Sequence, residues 1–167
     1  MTALTPKSVV ERYHRAKERR FTWENHWQEC YDFALPYRHA VTQTSQAGAK
    51  KGDRIFDGTA SDAVDQLAAS LMAQLTPPWT NWFGFNVGPE ADSAERQALG
   101  GELDRLTIVV QSHLNRSNFA VEMHQCFLDL VTAGTASLMF EEAAPGDPSA
   151  FRFTAVPLSH EIGRAHV

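Results

Sequence analysis

Apolar positions recur along this chain mainly at the spacing of amphipathic helices. A first helix is predicted from Thr5-Pro6, because threonine can cap a first turn and proline is tolerated at the first helical position. A second pattern follows, an aromatic stripe with steps of four, four and three residues: Trp23, Trp27, Tyr31 and Ala34. Pro36 is expected to end this pattern.

The clearest helical pattern lies between a polar stretch and a pair of prolines. Residues 41–52, rich in Gln, Thr, Ser, Ala and Gly, predict a surface loop. Asp57 or Thr59 can cap the following helix, and Thr76-Pro77-Pro78 ends it. Its apolar face is predicted to consist of Ala60, Val64, Leu67, Ala68, Leu71, Met72 and Leu75.

The rest of the chain predicts one aromatic strand, two helices and a hairpin. The apolar run from Trp82 to Val87 has strand or extended character. Helical spacing extends from Pro89 to about Asn115, with a kink or break at Gly100-Gly101, and again from Asn118 to about Gly134. Residues 136–142 and 151–158 predict a β-hairpin. The predicted fold class is α+β, mainly helical, with a short aromatic strand and a C-terminal β-hairpin.

The charge of the chain is unevenly distributed. Residues 1–54 hold 10 basic and 6 acidic side chains, a net of +4, whereas residues 55–167 hold 5 and 14, a net of −9, which gives −5 in total. The basic run from Arg12 to Arg20 could contact nucleic-acid phosphates. Glu11 and Glu18 within it, and the overall acidic balance, favour a solvated or protein-facing surface.

Residues 66–89 contain no charged side chain, which raises the question of a membrane span. Gln66, Gln74, Asn81 and the Pro77-Pro78 pair argue against one. The apolar residues form a stripe along one helix face, as in a water-exposed helix. No membrane association is therefore predicted.

No catalytic or metal-binding constellation emerges from the sequence. Phosphate-loop, dinucleotide-binding, nucleophile-elbow and zinc-protease motifs are absent from the sequence. His26 and Cys30 share a helix face, but no second pair with metal-ligand spacing follows. Asp57, Asp62 and Asp65 suit a helix N-terminus. The sequence thus predicts neither an enzyme nor a cofactor nor a metal site.

A series of short motifs carries a family resemblance. The chain reads RIFDGTA at 54–60, LAASL at 67–71, LTPP at 75–78 and WF at 82–83. It resembles the N-terminal part of the head-to-tail connecting (portal) proteins of podovirus-type bacteriophages, whose pattern is a capped F-D-S/T-T-A helix with L-A-A, then L-T-P-P and W-F. Gly58 departs from the commoner serine. The resemblance spans about Trp23 to Ser159.

The positions that match the family motif are predicted to be structural. They are Trp27, Phe56, Asp57, Thr59, Ala60, Leu67, Ala68, Pro77, Pro78, Trp82, Phe83, Gly134 and Pro157.

The resemblance implies a structural subunit of a dodecameric ring at one capsid vertex of the virion, assembled in the host cytoplasm. Such a ring is a conduit for double-stranded DNA during packaging and ejection, without sequence specificity. It contacts the capsid protein and docks the terminase and the tail adaptor. Residues 1–159 would be the wing-like N-terminal part of the subunit. The competing hypothesis is a bacterial DNA-binding or regulatory protein that uses the basic N-terminal helix.

The C-terminal residues are expected not to be native. Glu161 to Val167 read EIGRAHV, which is what a sequencing adapter encodes, and this departs from the pattern that precedes it. Residues 160–167 are therefore predicted to be an adapter-derived tail outside the folded core.

Overall fold

The computed structural model describes residues 5–38, 55–90 and 92–160. In these residues the chain is mainly helical with a two-stranded antiparallel sheet, which confirms the α+β class. The elements are α1 (Pro6–Ala34), α2 (Thr59–Leu75), α3 (Ser93–Arg116), α4 (Phe119–Ala133), β1 (Ser137–Glu142), β2 (Phe151–Val156) and a 3₁₀ turn (Leu158–His160). The predicted loop at 41–52 and residues 161–167 of the predicted tail lie outside the described residues.

Helix α1 is one uninterrupted helix that joins the two patterns seen in the sequence. Thr5 and Ser8 form a reciprocal cap at its start: the Ser8 amide donates to Thr5 Oγ1 (3.3 Å) and the Thr5 amide donates to Ser8 Oγ (3.1 Å). Its last residue is Ala34, two before Pro36, and the Leu35 amide donates to the Tyr31 carbonyl. The predicted start and end of the pattern are thus confirmed.

Local side chains also set the starts of α2 and α3. The Asp57 carboxylate accepts from the Thr59 amide (3.0 Å), so Asp57 is the capping side chain and Thr59 is already helical. Asp92 and Glu95 form a capping box at α3. Helix α3 continues through Gly100-Gly101, so a break there was wrong. Each glycine costs only about 1 kcal/mol, and helical turns on both sides outweigh that cost.

The prediction of a strand at Trp82–Val87 was also wrong, since the structure has no strand there. The segment lies against helices instead of beside another strand. The Phe85 amide donates to Thr107 Oγ1 of α3 (3.1 Å), and the Trp82 ring stacks on Phe119 of α4 with ring centroids 5.9 Å apart. Because its hydrogen-bond partner is a side chain, the segment forms no ladder.

The chain divides into two compact units. The first comprises residues 1–67, 128–137 and 156–167, and the second comprises residues 68–127 and 138–155. The buried apolar residues of the first unit are Trp27, Tyr31, Leu35, Leu128 and Leu158. Those of the second are Ala68, Cys126, Phe127 and Phe153. Each unit thus has its own small core.

The β-hairpin has a defined register. Beyond the paired strands, the Ala143 amide donates to the Ala150 carbonyl (2.9 Å), and Gly146 adopts a positive φ of 103° in the connecting loop. This register places Phe140 opposite Phe153, and their ring centroids are 5.4 Å apart. Phe151 lies at the same 5.4 Å from Phe140, so one sheet face is a cluster of three rings.

Candidate assembly surface

The first unit is organised around a buried carboxylate. Asp129 of α4 is only 4% exposed, accepts a hydrogen bond from the Tyr31 hydroxyl (2.7 Å) and pairs with the Arg38 guanidinium. A buried charge needs such partners, because desolvation without them is costly. The interaction fixes the residues that follow α1 against α4 within this unit.

Arg20 is a second buried charge in the first unit. Its guanidinium donates to the Leu158 carbonyl (2.6 Å) and to the Glu24 carboxylate (3.0 Å), and it lies 5.5 Å from the Trp27 ring centroid. The sequence counted Arg20 in a basic surface run, but the structure buries it. Its role is therefore to hold the segment after β2, and it does not contribute to a phosphate-binding face.

Exposed apolar side chains are also found along a stretch of the chain that carries no charge. We call residues 66–89 the uncharged segment, since they hold no charged side chain. Several of its large apolar side chains lie in solvent: Leu67 (50% exposed), Leu75 (55%), Trp79 (72%), Trp82 (36%) and Phe85 (42%). Charge depletion with exposed aromatic rings is typical of the core of a protein–protein interface.

Helix α2 contributes the first half of this segment, and little of it is covered. The sequence predicted an apolar face from Ala60 to Leu75, and within α2 only Ala68 of that face is buried. Ala69, Ser70, Ala73 and Gln74 are exposed as well, so small side chains border the leucines. Small residues allow close approach of another backbone.

None of the described helices is long and apolar enough to cross a membrane.

Comparison with known proteins agrees with this picture of an assembly component. The model of the bacteriophage head to tail connecting protein family matches residues 7–162. The chain belongs to this family. It is 31% identical over 134 residues to the probable portal protein of Bordetella phage BPP-1. It is 22% identical over 143 residues to the portal protein of Salmonella phage epsilon15.

The two alignments differ in how much of each protein they cover. They include 78% and 85% of this chain, but only 24% and 26% of the two portal proteins. The connector-family chain therefore spans about a quarter of the length of these curated relatives.

The family-motif positions of the connector chain do not converge on one site. Trp27 is buried in the first unit, whereas Phe56 is 95% exposed. The Pro78 carbonyl accepts from the Asn115 side chain (3.3 Å). Gly134 ends α4 with a φ of 74°, a left-handed value that favours glycine, and Pro157 is exposed after β2.

The remaining motif positions lie at the start of helix α2, along it and in the segment that follows it. Asp57 and Thr59 start α2; Ala60 is exposed, Leu67 half-exposed and Ala68 buried; Pro77 and Phe83 are half-buried; and Trp82 stacks on Phe119. Their surroundings are those of caps, turns and packing contacts. That all of these positions are structural stays a prediction.

The described part of the connector chain shows no cluster of chemistry-bearing groups. His26 Nε2 and Cys30 Sγ are 3.8 Å apart, yet no group of three or more His, Cys, Asp or Glu side chains there could hold a metal ion. Tyr37 is perturbed: partial burial, together with the neighbouring Asp65 carboxylate, raises the pKa of its hydroxyl.

Sequence reasoning missed two polar networks. One is the Asp129 cluster, which had a signal: a carboxylate near the C-terminal end of an otherwise apolar helix opposes the helix dipole and needs a partner. The other is the set of side chains bonded to the backbone of β2 and of the residue before it, namely Asn118 and Glu122 for β2 and His113 for Ala150. These contacts join residues that are 33 or more positions apart in the sequence, so no local sequence pattern predicts them.

Proposed function

We propose that this chain is the N-terminal, wing-like part of a portal subunit, and that residues 66–89 contact the neighbouring subunit of the ring. In this proposal the ring is a dodecamer at one capsid vertex, through which double-stranded DNA is packaged and ejected. The terminase, the capsid protein and the tail adaptor bind the same ring. The role is structural, and the chain contributes no catalysis of its own.

One observation carries the proposal: the uncharged segment is exposed. A folded monomer rarely leaves two tryptophans, a phenylalanine and two leucines in solvent along 24 uncharged residues. Covering them removes apolar area from water at about 25 cal/mol per Å². A ring subunit covers such a surface without a separate partner protein, because each copy presents it to the next.

The charge balance supports the conduit role. The acidic excess of residues 55–167 suits a passage whose walls repel phosphates, since strong lysine or arginine contacts would hinder sliding of DNA. Arg12, Arg15 and Arg19 are exposed on the N-terminal half of α1, where Glu11 and Glu18 accompany them. A mixed-charge face of this kind favours protein contact over sequence-independent DNA binding.

The experiment uses the complete protein encoded by the gene that contains this segment. Negative-stain microscopy should show closed rings, and Trp79→Ala combined with Leu75→Ser should reduce them to monomers with an unchanged fold. Val121→Ser, which changes an exposed apolar residue outside the uncharged segment, is the matched control and should leave the rings intact.

Two results would overturn the proposal. One is a monomeric complete protein. The other is a protein whose DNA affinity is strong, independent of sequence and steeply reduced by salt, which would favour the DNA-binding hypothesis instead. If the double variant still forms rings, the uncharged segment is not part of the contact between subunits.

A further inference from the structure

The two edges of the β1–β2 sheet are treated differently by the rest of the second unit. Asn118 donates to the Phe153 carbonyl (2.7 Å) and accepts from the Phe153 amide (2.9 Å). Glu122 accepts from the Ala155 amide (2.8 Å), and His113 Nδ1 accepts from the Ala150 amide (3.2 Å). Asn118, just before α4, and Glu122 of α4 therefore satisfy the outer edge of β2 in place of another strand, and His113 of α3 holds the residue that precedes it.

The opposite edge, on β1, has no such partners. Alternation along an antiparallel pair directs the inward groups of β1 to β2 at odd positions, given the bond from the Ala143 amide to the Ala150 carbonyl. The amides and carbonyls of Leu138, Phe140 and Glu142 therefore point outward. Among residues 5–38, 55–90 and 92–160 no group bonds to them.

The sequence of β1 does nothing to block this edge. Natural proteins protect exposed edges with lysine, proline, bulges or a covering loop. Strand β1 reads SLMFEE, without lysine or proline, and Met139 and Phe140 are 43% and 60% exposed. A two-stranded sheet is also marginal by itself, because three or more strands are usually needed for independent stability.

We infer that the outer edge of β1 pairs with a β-strand from the part of the same subunit that lies outside these 167 residues. This inference rests on the proposed function. The two portal relatives are about four times as long as the segment they share with this chain, so most of such a subunit remains to supply the strand. The two strands would be held by backbone hydrogen bonds, in which the amides and carbonyls of Leu138, Phe140 and Glu142 pair with those of the added strand.

A second copy of β1 is the less suitable occupant. Pairing of two identical edges is isologous and closes a dimer, whereas a ring needs contacts between two different surfaces. A dimer through β1 would therefore compete with ring assembly, and strand addition within the subunit would not.

The first test compares amide hydrogen exchange in two forms of the protein. In the 167-residue chain, the Leu138, Phe140 and Glu142 amides should exchange freely, while the Phe153 and Ala155 amides, which donate to Asn118 and Glu122, should be protected. In the complete protein, exchange at the three β1 amides should slow by about tenfold or more. Equal exchange at these amides in both forms would overturn the inference. Protection in the 167-residue chain, accompanied by a dimer in ultracentrifugation, would also overturn it and would assign the edge to a second copy.

The second test uses proline at neighbouring positions. Glu142→Pro removes an outward amide, so in the 167-residue chain the amides of Arg152 and Thr154, which face β1 in this register, should stay protected. Glu141→Pro removes an inward amide and should speed exchange at these two positions. In the complete protein, Glu142→Pro should restore fast exchange at Phe140, and Glu142→Thr should not. Unchanged protection at Phe140 in the proline variant would contradict backbone pairing.

The outcomes separate this inference from the proposed function. Rings with fast-exchanging β1 amides would refute strand addition alone. Protected β1 amides in a complete protein that forms no rings would refute the portal role alone.

Discussion

The cluster around Asp129 and the uncharged segment show two opposite ways of using a surface. In the first unit, ionised groups are buried because Tyr31, Arg38 and the Leu158 carbonyl are positioned to meet Asp129 and Arg20. In the uncharged segment, large apolar groups such as Trp79 remain in solvent. The first arrangement is satisfied within the chain, whereas the second needs another surface to cover it. Stability and assembly should therefore respond to different substitutions.

The largest effect on stability is expected from a comparison of two tryptophans, one buried in the first unit and one exposed in the uncharged segment. Trp27→Ala should lower the free energy of unfolding by about 3–5 kcal/mol, because Trp27 is only 8% exposed and packs against Trp23 and Arg20. Trp79→Ala should leave the unfolding midpoint of this chain unchanged and should impair assembly of the complete protein. Urea denaturation and ultracentrifugation measure the two quantities, and the reverse assignment would reject the comparison.

The next effect concerns the buried carboxylate. Asp129→Asn should cost about 3 kcal/mol of unfolding free energy, since it removes the charge that compensates Arg38 within the first unit. The control is Glu102→Gln, because Glu102 and Arg105 form an exposed pair (3.5 Å) with little stabilising effect. Equal denaturation midpoints for the two variants would show that the Asp129 cluster stabilises no more than a surface pair.

Two glycines allow a smaller test with opposite signs. Gly134→Ala should destabilise by about 1 kcal/mol, because its φ of 74° is unfavourable for a residue with a Cβ. Gly100→Ala should stabilise by about 0.5–1 kcal/mol, since an added Cβ would meet no atom within 4 Å and α3 is helical there. Thermal unfolding of both variants decides the signs. A Gly100→Ala variant that is more stable but no longer forms rings would place α3 in a subunit contact.

The smallest effect is a dependence on alkaline pH. The pKa of Tyr37 in the folded protein is raised from its usual 10.0. The contribution of Tyr37 to the free energy of unfolding is therefore complete below the pKa of the unfolded chain, and it is lost as the pH rises through the pKa of the folded protein. Stability should therefore be flat near neutrality and should decline above about pH 10. Tyr37→Phe should reduce that decline, as measured by urea denaturation at several pH values. An identical pH profile in the variant would contradict the assignment.

The elements that the sequence predicted well are those controlled by neighbouring residues. The Thr5 cap, the Asp57 cap and the two proline-terminated helices all depend on groups within four positions of each other. The strand predicted at Trp82–Val87 failed because periodicity cannot tell a ladder partner from a side-chain partner such as Thr107. Periodicity predicts the apolar face of α2 but does not say which chain covers it, and within α2 only Ala68 is buried.

The candidate surface was partly predictable. The absence of charge over residues 66–89 is visible in the sequence, and only the structure shows that its rings and leucines are exposed. The Asp129 cluster could not be assembled from the sequence, because Tyr31 and Asp129 are separated by 98 positions.

The bonds from Asn118 and Glu122 to β2 also limit how this sheet can grow. A sheet with two open edges can add strands without end and so can seed fibres. Here the edge of β2 is closed by side chains of the same unit, so two copies that paired through β1 would form a four-stranded sheet with both outer edges closed. The hairpin can therefore end a sheet, but copies of it cannot stack into a continuous one.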